Sequence, residues 1–313
     1  MTILDTIIPV FLFIALGKFL TVKNLLSEAG ISCIKSLCVN VFLPVMAFDA
    51  LIHGTYSKDS IILIALEFLA LFGCWGIGFF LRRFFDKSIS PYVPYAMATY
   101  EGGLFGWALI GLLVGQENLY YIVSMDIFSG VFGFTVMATG LKMVEGEKLT
   151  KKEIALSIVK NPLIIAVVLG FLGAALGWAE AIETHGFSSL YDAITKWFIQ
   201  PLSPLILISI GSGLVFDKEV LKKGFKLAAV RYALQIVICA LVLGIIYYTV
   251  GLSWVLKFTL LMYFFCPTSF LISMYSQKKE AVEVTSAMLS VQILVALAVF
   301  VVLVFVSAPF LAK

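Results

Sequence analysis

Apolar residues in this chain gather into runs of about 20, the length a helix needs to cross the hydrocarbon core of a bilayer, and charged residues fall mostly between the runs. Walking the chain gives runs at Leu4–Val22, Gly30–Ile52, Ser60–Phe85, Pro91–Val114 and Asn118–Lys142. After a charged stretch follow Ile154–Trp178, Ser188–Phe216, Leu221–Val250, Trp254–Ser276 and Val282–Leu311. The pattern predicts an all-α polytopic membrane protein of about ten spans. Composition excludes the alternatives. The chain is 61% hydrophobic and 13% charged, with mean hydropathy +1.06. A soluble domain is roughly 45–50% apolar and about 25% charged. With Gly at 24, Pro at 9 and no repeat period, it is neither disordered nor collagen-like.

Several chemistries are unsupported. The five cysteines, Cys33, Cys38, Cys74, Cys239 and Cys266, lie in apolar runs and form no CxxC pair, so they read as packing residues. His53 and His185, the two histidines, fall in predicted loops, which disfavours a metal cluster or a Ser-His-Asp triad in the membrane. HExxH, P-loop and GxGxxG motifs are missing, as are GxGD and GxSG. An enzyme is therefore not expected, nor a resident cofactor or metal. The net charge of +3 implies no nucleic-acid partner. The start, Met1-Thr2-Ile3-Leu4-Asp5, lacks a basic n-region and is expected to open a retained spanning helix.

Basic residues orient the spans. Loops after odd-numbered runs hold Lys18 and Lys23; Arg82, Arg83 and Lys87; Lys142, Lys148, Lys151 and Lys152; Lys218, Lys222, Lys223 and Lys226; and Lys278 and Lys279. Loops after even-numbered runs and the C-terminal end hold Lys58, Lys257 and Lys313. The ratio, about five to one, places the odd loops in the cytoplasm and both termini outside a cell membrane.

The stretch 145–153 divides the chain into halves 1–144 and 154–313 with an odd number of runs each, so the halves enter the membrane in opposite senses. At offsets of about 160–166 residues, Phe42-Leu43-Pro44 aligns with Leu202-Ser203-Pro204, Glu67 with Arg231, Glu101 with Pro267 and Asp126 with Gln292. Inverted repeats of this kind characterise secondary transporters, whose sites lie at midplane between the repeats. The fourth run contains Tyr100-Glu101-Gly102-Gly103, and the ninth contains Cys266-Pro267-Thr268-Ser269. Paired glycines and an interior proline both weaken a helix. Matched interruptions predict an unwound crossover whose half-helix N-termini would attract an anion. Pro44 and Pro204 are predicted helix-break or hinge positions.

These motifs carry a family resemblance over essentially the whole chain. Val41-Phe42-Leu43-Pro44, Lys160-Asn161-Pro162-Leu163-Ile164-Ile165 with Gly170, and Pro204-Leu205-Ile206-Leu207-Ile208-Ser209-Ile210-Gly211 with Leu214 resemble signatures of the auxin efflux carrier family, the PIN-like transporters, in its short prokaryotic form. The resemblance implies two inverted five-helix repeats, scaffold and transport domains drawn from both, crossing discontinuous fourth and ninth helices, and an elevator-like movement. Family substrates are organic anions, including malate, malonate and auxin. Where the family's fourth helix has N-x-G-x-x-G-x-P, this chain has Glu101, Gly103, Gly106 and Ala108.

Charged residues inside spans default to functional hypotheses. At a rise of about 1.5 Å per residue, Glu67, Glu101, Asp126, Lys196 and Arg231 fall near midplane. Lys35 is expected to sit shallower and snorkel to the cytoplasmic interface. For Glu67, Lys196 and Arg231 a buried ion pair or a water-facing position competes with function. Glu101, beside the break, is the candidate coupling group, assisted by Asp126 and Gln292. Asn40, Tyr100, Glu101, Gly102, Gly103, Pro267, Thr268 and Ser269 are the predicted substrate and crossover residues; Asn40 either satisfies backbone freed by Pro44 or contacts substrate. The leading expectation is a secondary transporter moving a small organic anion, a carboxylate, by alternating access. Its rival is a proton- or sodium-coupled transporter of a neutral or cationic solute on the related bile-acid and sodium–proton antiporter architecture. Expected partners are the solute, H+ or Na+, and the bilayer, with a homodimer compatible.

Overall fold

The computed structural model describes residues 3–54, 56, 58–146, 150–214, 217–272, 276 and 278–311. Among them every regular element is helical. Within the predicted linker, 147–149 lies outside the described residues. The helices are α1 (Ile3–Val22), α2 (Glu28–Leu37), α3 (Leu43–Ile52), α4 (Lys58–Leu81), α5 (Val93–Ala98), α6 (Trp107–Val114), α7 (Leu119–Phe132) and α8 (Ala138–Val144). In the second half come α9 (Lys151–Val159), α10 (Pro162–Ala175), α11 (Trp178–Thr184), α12 (Ser188–Ile199), α13 (Leu202–Gly213), α14 (Lys218–Thr249), α15 (Trp254–Phe264) and α16 (Lys279–Leu311).

Five stretches are long and apolar enough to cross a bilayer, or up to seven if two sharply bent helix pairs are each taken as one span. The sequence pattern predicts about ten. The difference arises because several apolar runs are divided into shorter helices: 91–114 at residues 99–101, 154–178 at Lys160-Asn161, and 254–276 after Phe264. Asn161 explains one division. Its side chain accepts from the N–H groups of Leu163 and Ile164, and Pro162 takes the first helical position, where its missing N–H leaves no bond unmade. The outer surface is apolar, with Leu12, Leu69, Trp197, Leu241, Tyr248 and Val302 exposed. Contiguous exposed apolar surface on this scale marks contact with lipid or protein. Together these features define an all-helical chain with the character of a polytopic membrane protein.

Proline and glycine shape the packing in opposite ways. Pro44 deprives the helix of one bond to the preceding turn. The chain answers with a wide π turn over Cys38–Phe42 and runs as a single stretch from Glu28 to Ile52, so Pro44 is absorbed rather than breaking the helix. Pro204 occupies the first turn of α13, where an N–H would be unpaired anyway; the interruption falls ahead of it, at Gln200-Pro201. Glycines make the close crossings. A Cβ on Gly17 would overlap the Ile208 carbonyl, and one on Gly211 the Ile14 carbonyl, so α1 and α13 meet backbone to backbone. Gly170 makes room on α10 for the Leu51 side chain of α3, and Gly224 brings α14 onto the backbone of α16 at Ala287-Met288. Small residues at helix crossings are the usual device where lipid supplies no hydrophobic drive between helices.

Candidate functional site

The first interruption begins where α5 ends. Thr99 is extended, Glu101 is non-helical at φ −87° and ψ 68°, and Gly102–Gly106 then forms a π turn leading into α6. Ending a helix inside an apolar body leaves carbonyls without partners. Two side chains of α14 supply the donors. Arg231 donates from Nη1 to the Ala96 carbonyl at 2.7 Å and from Nη2 to the Thr99 carbonyl at 2.6 Å. Gln235 Nε2 donates to the Met97 carbonyl at 2.9 Å and its Oε1 accepts from the Tyr100 hydroxyl at 2.7 Å. A cation at a helix C-terminus also opposes the macrodipole. The Arg231 guanidinium lies over the Tyr100 ring, 5.1 Å from its centroid, in cation–π range. Arg231 is fully buried.

The second interruption follows α15 and is hydrogen-bonded to the first. The Glu101 N–H donates to the Pro267 carbonyl at 2.8 Å. Thr268 N–H donates to Gln292 Oε1 at 2.9 Å, Ser269 N–H to Thr99 Oγ1 at 3.3 Å, and Phe270 N–H to Glu101 Oε2 at 2.7 Å. The hydroxyls of Thr99 and Thr268 are 2.9 Å apart. Each freed N–H of 268–270 thus has a side-chain acceptor, and the Glu101 carboxylate occupies an anion's place at this broken end. Asp126 plays a related part at the other break. A Cβ on Gly102 would overlap its carboxylate, which therefore rests against the amino end of the π turn and α6.

A row of polar groups leads from the crossover into the body. The Tyr263 hydroxyl lies 3.0 Å from Asp126 Oδ1 and 3.1 Å from Glu67 Oε1. Tyr263 packs against Tyr100, the rings tilted by 35° with centroids 4.6 Å apart. Glu67, Arg231, Gln292 and Tyr263 are 0–1% exposed, against 8–9% for Glu101 and Asp126.

On the other side of Phe270 is a cavity of about 170 Å³ among α2, α13, α16 and the second break. Lys35, Ser209, Ser286 and Ser290 are its polar lining; Phe270, Ile206, Ile210 and Ile293 contribute apolar wall. The Lys35 ammonium lies 5.3 Å from the centroid of the Phe270 ring and interacts electrostatically with Glu101. One cation, several hydroxyls and an apolar wall make a lining suited to a small anion with a short hydrocarbon body.

The structure brings together Tyr100, Glu101, Gly102, Pro267, Thr268, Ser269, Asp126 and Gln292, with Gly103 in the same π turn against Leu43. Asn40 stands apart: it is exposed and donates from Nδ2 to the Ser36 carbonyl at 2.9 Å. Lys196 is exposed on α12. Lys35 lines the cavity, its ammonium set toward Glu101 and the Phe270 ring. Sequence reasoning missed Thr99, Gln235, Tyr263, Ser209, Ser286 and Ser290. A signal existed for the last pair: serines four apart share one helix face. For Tyr263 there was none.

No family model matches the chain. A protein of Methanothermobacter thermautotrophicus described as an uncharacterized transporter is 26% identical over 265 residues, covering 81% of this chain and 79% of that relative.

Proposed function

We propose that this chain is a secondary transporter that carries a small organic anion, a carboxylate, across the cell membrane by elevator-like alternating access. A transporter role is supported by the similarity to a relative so named and by the apolar helical body. The observation that carries the finer reading is the meeting of two interrupted helices next to a half-open cavity with Lys35 in its wall. Interrupted helices at the centre of an apolar bundle are where transporters bind solute. Lys35 supplies the charge for a carboxylate, and the serines supply donors for its oxygens.

Two inverted repeats, 1–144 and 154–313 joined by 145–153, account for the helix contacts. Contacts of α1 with α13 and of α10 with α3 exchange with one another when the first run is mapped on the sixth and the second on the seventh. Membership of the auxin efflux carrier family would supply the scaffold and transport domains.

The rival reading, a proton- or sodium-coupled transporter of a neutral or cationic solute, draws on one observation: Glu101 already faces Lys35. Proteoliposome uptake decides between them. A panel of mono- and dicarboxylates, including malate and malonate, is offered with imposed proton and sodium gradients, beside neutral and cationic solutes. Saturable uptake of a carboxylate is expected. Uptake confined to neutral or cationic solutes would replace the first reading with the second, and no uptake of any solute would remove both.

Orientation has its own test. Of the cysteines Cys33 alone is exposed, so a Cys33→Ser background is quiet. In it, Glu183→Cys should react with an impermeant maleimide on intact cells and Lys152→Cys only after the cells are opened. The reverse pattern would invert the topology.

A further inference from the structure

We propose that Glu67 and Asp126, bridged by the Tyr263 hydroxyl, hold a single exchangeable proton, and that this proton is the coupling ion of the transport cycle. The second clause rests on the transporter reading; the first does not.

The argument begins with hydrogen counting. A phenol has one hydrogen to donate, yet the Tyr263 oxygen sits within bonding distance of a carboxyl oxygen on each side, 3.1 Å from Glu67 and 3.0 Å from Asp126. If both carboxyls were ionised, one short contact would be oxygen against oxygen with no hydrogen between them. One carboxyl must therefore bring a proton of its own and donate it to the phenol oxygen. Water offers little relief, since Tyr263 is 0%, Glu67 1% and Asp126 8% exposed.

The surroundings indicate where the proton rests. Glu67 Oε2 is buried with no hydrogen-bond partner among the described residues. That is tolerable for the carbonyl oxygen of a neutral acid and severe for an ionised one. Asp126 is better provided: the Trp107 indole N–H faces it in addition to Tyr263, while the neighbouring Ser129 hydroxyl donates to the Tyr100 carbonyl. The Trp107 Nε1 is itself buried and makes no full hydrogen bond, a donor aimed at the site. The conformer described here is thus Glu67 protonated and Asp126 ionised.

Buried charge agrees. The charged and titratable groups facing the pair are Arg231 from α14, Glu101 and Tyr100 from the first break, Cys74 from α4, and Cys266 beside the second break. Lys35 answers Glu101. Arg231 then leaves one positive charge for two carboxyls, and one proton makes the set neutral, as a low-dielectric interior demands.

The bridge also gives the proton a route. As the Glu67 O–H bond breaks toward the phenol oxygen, the Tyr263 O–H bond breaks toward Asp126. Two O–H bonds break, two form, and the negative charge passes from Asp126 to Glu67, where Arg231 attracts it. Asp126 touches Gly102 at the broken helix, so its charge state is sensed by the element next to the cavity.

Infrared spectroscopy of the purified full chain in H₂O and D₂O reads the proton directly through the carbonyl stretch of a protonated carboxyl. Wild-type protein at pH 7 should show one such buried group. Glu67→Gln should remove it, Tyr263→Phe should shift its frequency, and Glu101→Gln should leave it in place. No protonated carboxyl in the wild type, a measurement that needs no variant to fold, would overturn the proposal; so would a band that survives Glu67→Gln and vanishes in Glu101→Gln. In proteoliposomes an imposed proton gradient should drive carboxylate uptake in the wild type but not in Glu67→Gln. A gradient response unchanged in that variant, or lacking in the wild type, would overturn the coupling. A band without any transport would count against the transporter reading and leave the proton site standing.

Discussion

Replacing Arg231 with Met should destabilise the purified protein by about 3–5 kcal/mol, the range for breaking a buried charged network by removing one member. The guanidinium is 0% exposed and holds the carbonyls of Ala96 and Thr99. Each bond from a charged donor contributes roughly 1.5–3 kcal/mol net. Met fills much of the space but leaves both carbonyls orphaned in an apolar interior, where no water replaces the donor. Arg231→Lys should recover only part of the loss, because a single ammonium cannot reproduce the planar fork that reaches two carbonyls at once. Removing the cation also leaves the Glu67–Asp126 pair without its positive neighbour. The double variant Arg231→Met with Asp126→Asn, which removes the orphaned negative charge as well, should therefore lose less stability than the two single losses summed. Chemical unfolding of the detergent-solubilised protein measures all of these. A loss below about 1 kcal/mol for Arg231→Met would mean that the end of α5 does not depend on this cap.

How much of this was legible beforehand differs between fold and site. Apolar run length alone predicted a polytopic helical chain, because the bilayer imposes one length on every span. The start of α10 was not separated from the rest of its run, although Asn161-Pro162 carries the local chemistry of a capped helix start. In the fourth run, glycine's backbone freedom points to an interruption at Gly102-Gly103. The chain actually leaves helical geometry at Thr99–Glu101, and Gly102 begins the next helical turn. Its lack of a side chain matters because the Asp126 carboxylate fills the space a Cβ would need. That is a tertiary reason, invisible in a single sequence. The sequence marks Arg231 as an expensive intramembrane charge, with a buried ion pair or a water-facing position as the competing explanation. It instead caps a broken helix from 132 and 135 residues away in the chain, a distance no local pattern encodes. Tyr263 looked like one aromatic among many, since a lone buried hydroxyl has no periodicity.

The cavity yields the last and functionally largest expectation. Lys35→Met should lower the apparent affinity for a transported carboxylate about tenfold to hundredfold, the equivalent of one charged hydrogen bond of roughly 1.5–3 kcal/mol. Lys35 is the only cation in the lining of this cavity among the described residues, and its other polar groups are neutral serine hydroxyls. An anion entering there has no second positive charge to compensate the loss. Lys35→Arg keeps the charge and should retain measurable uptake, whereas Ser209→Ala removes one neutral donor and should cost severalfold at most. Initial rates of carboxylate uptake into proteoliposomes, measured over a range of concentrations, separate affinity from turnover. If Lys35→Met transports carboxylates as the wild type does across that range, the solute does not bind in this cavity, and the crossover itself, where Thr99, Glu101 and Gln292 already occupy the freed N–H groups, would have to rearrange to receive it.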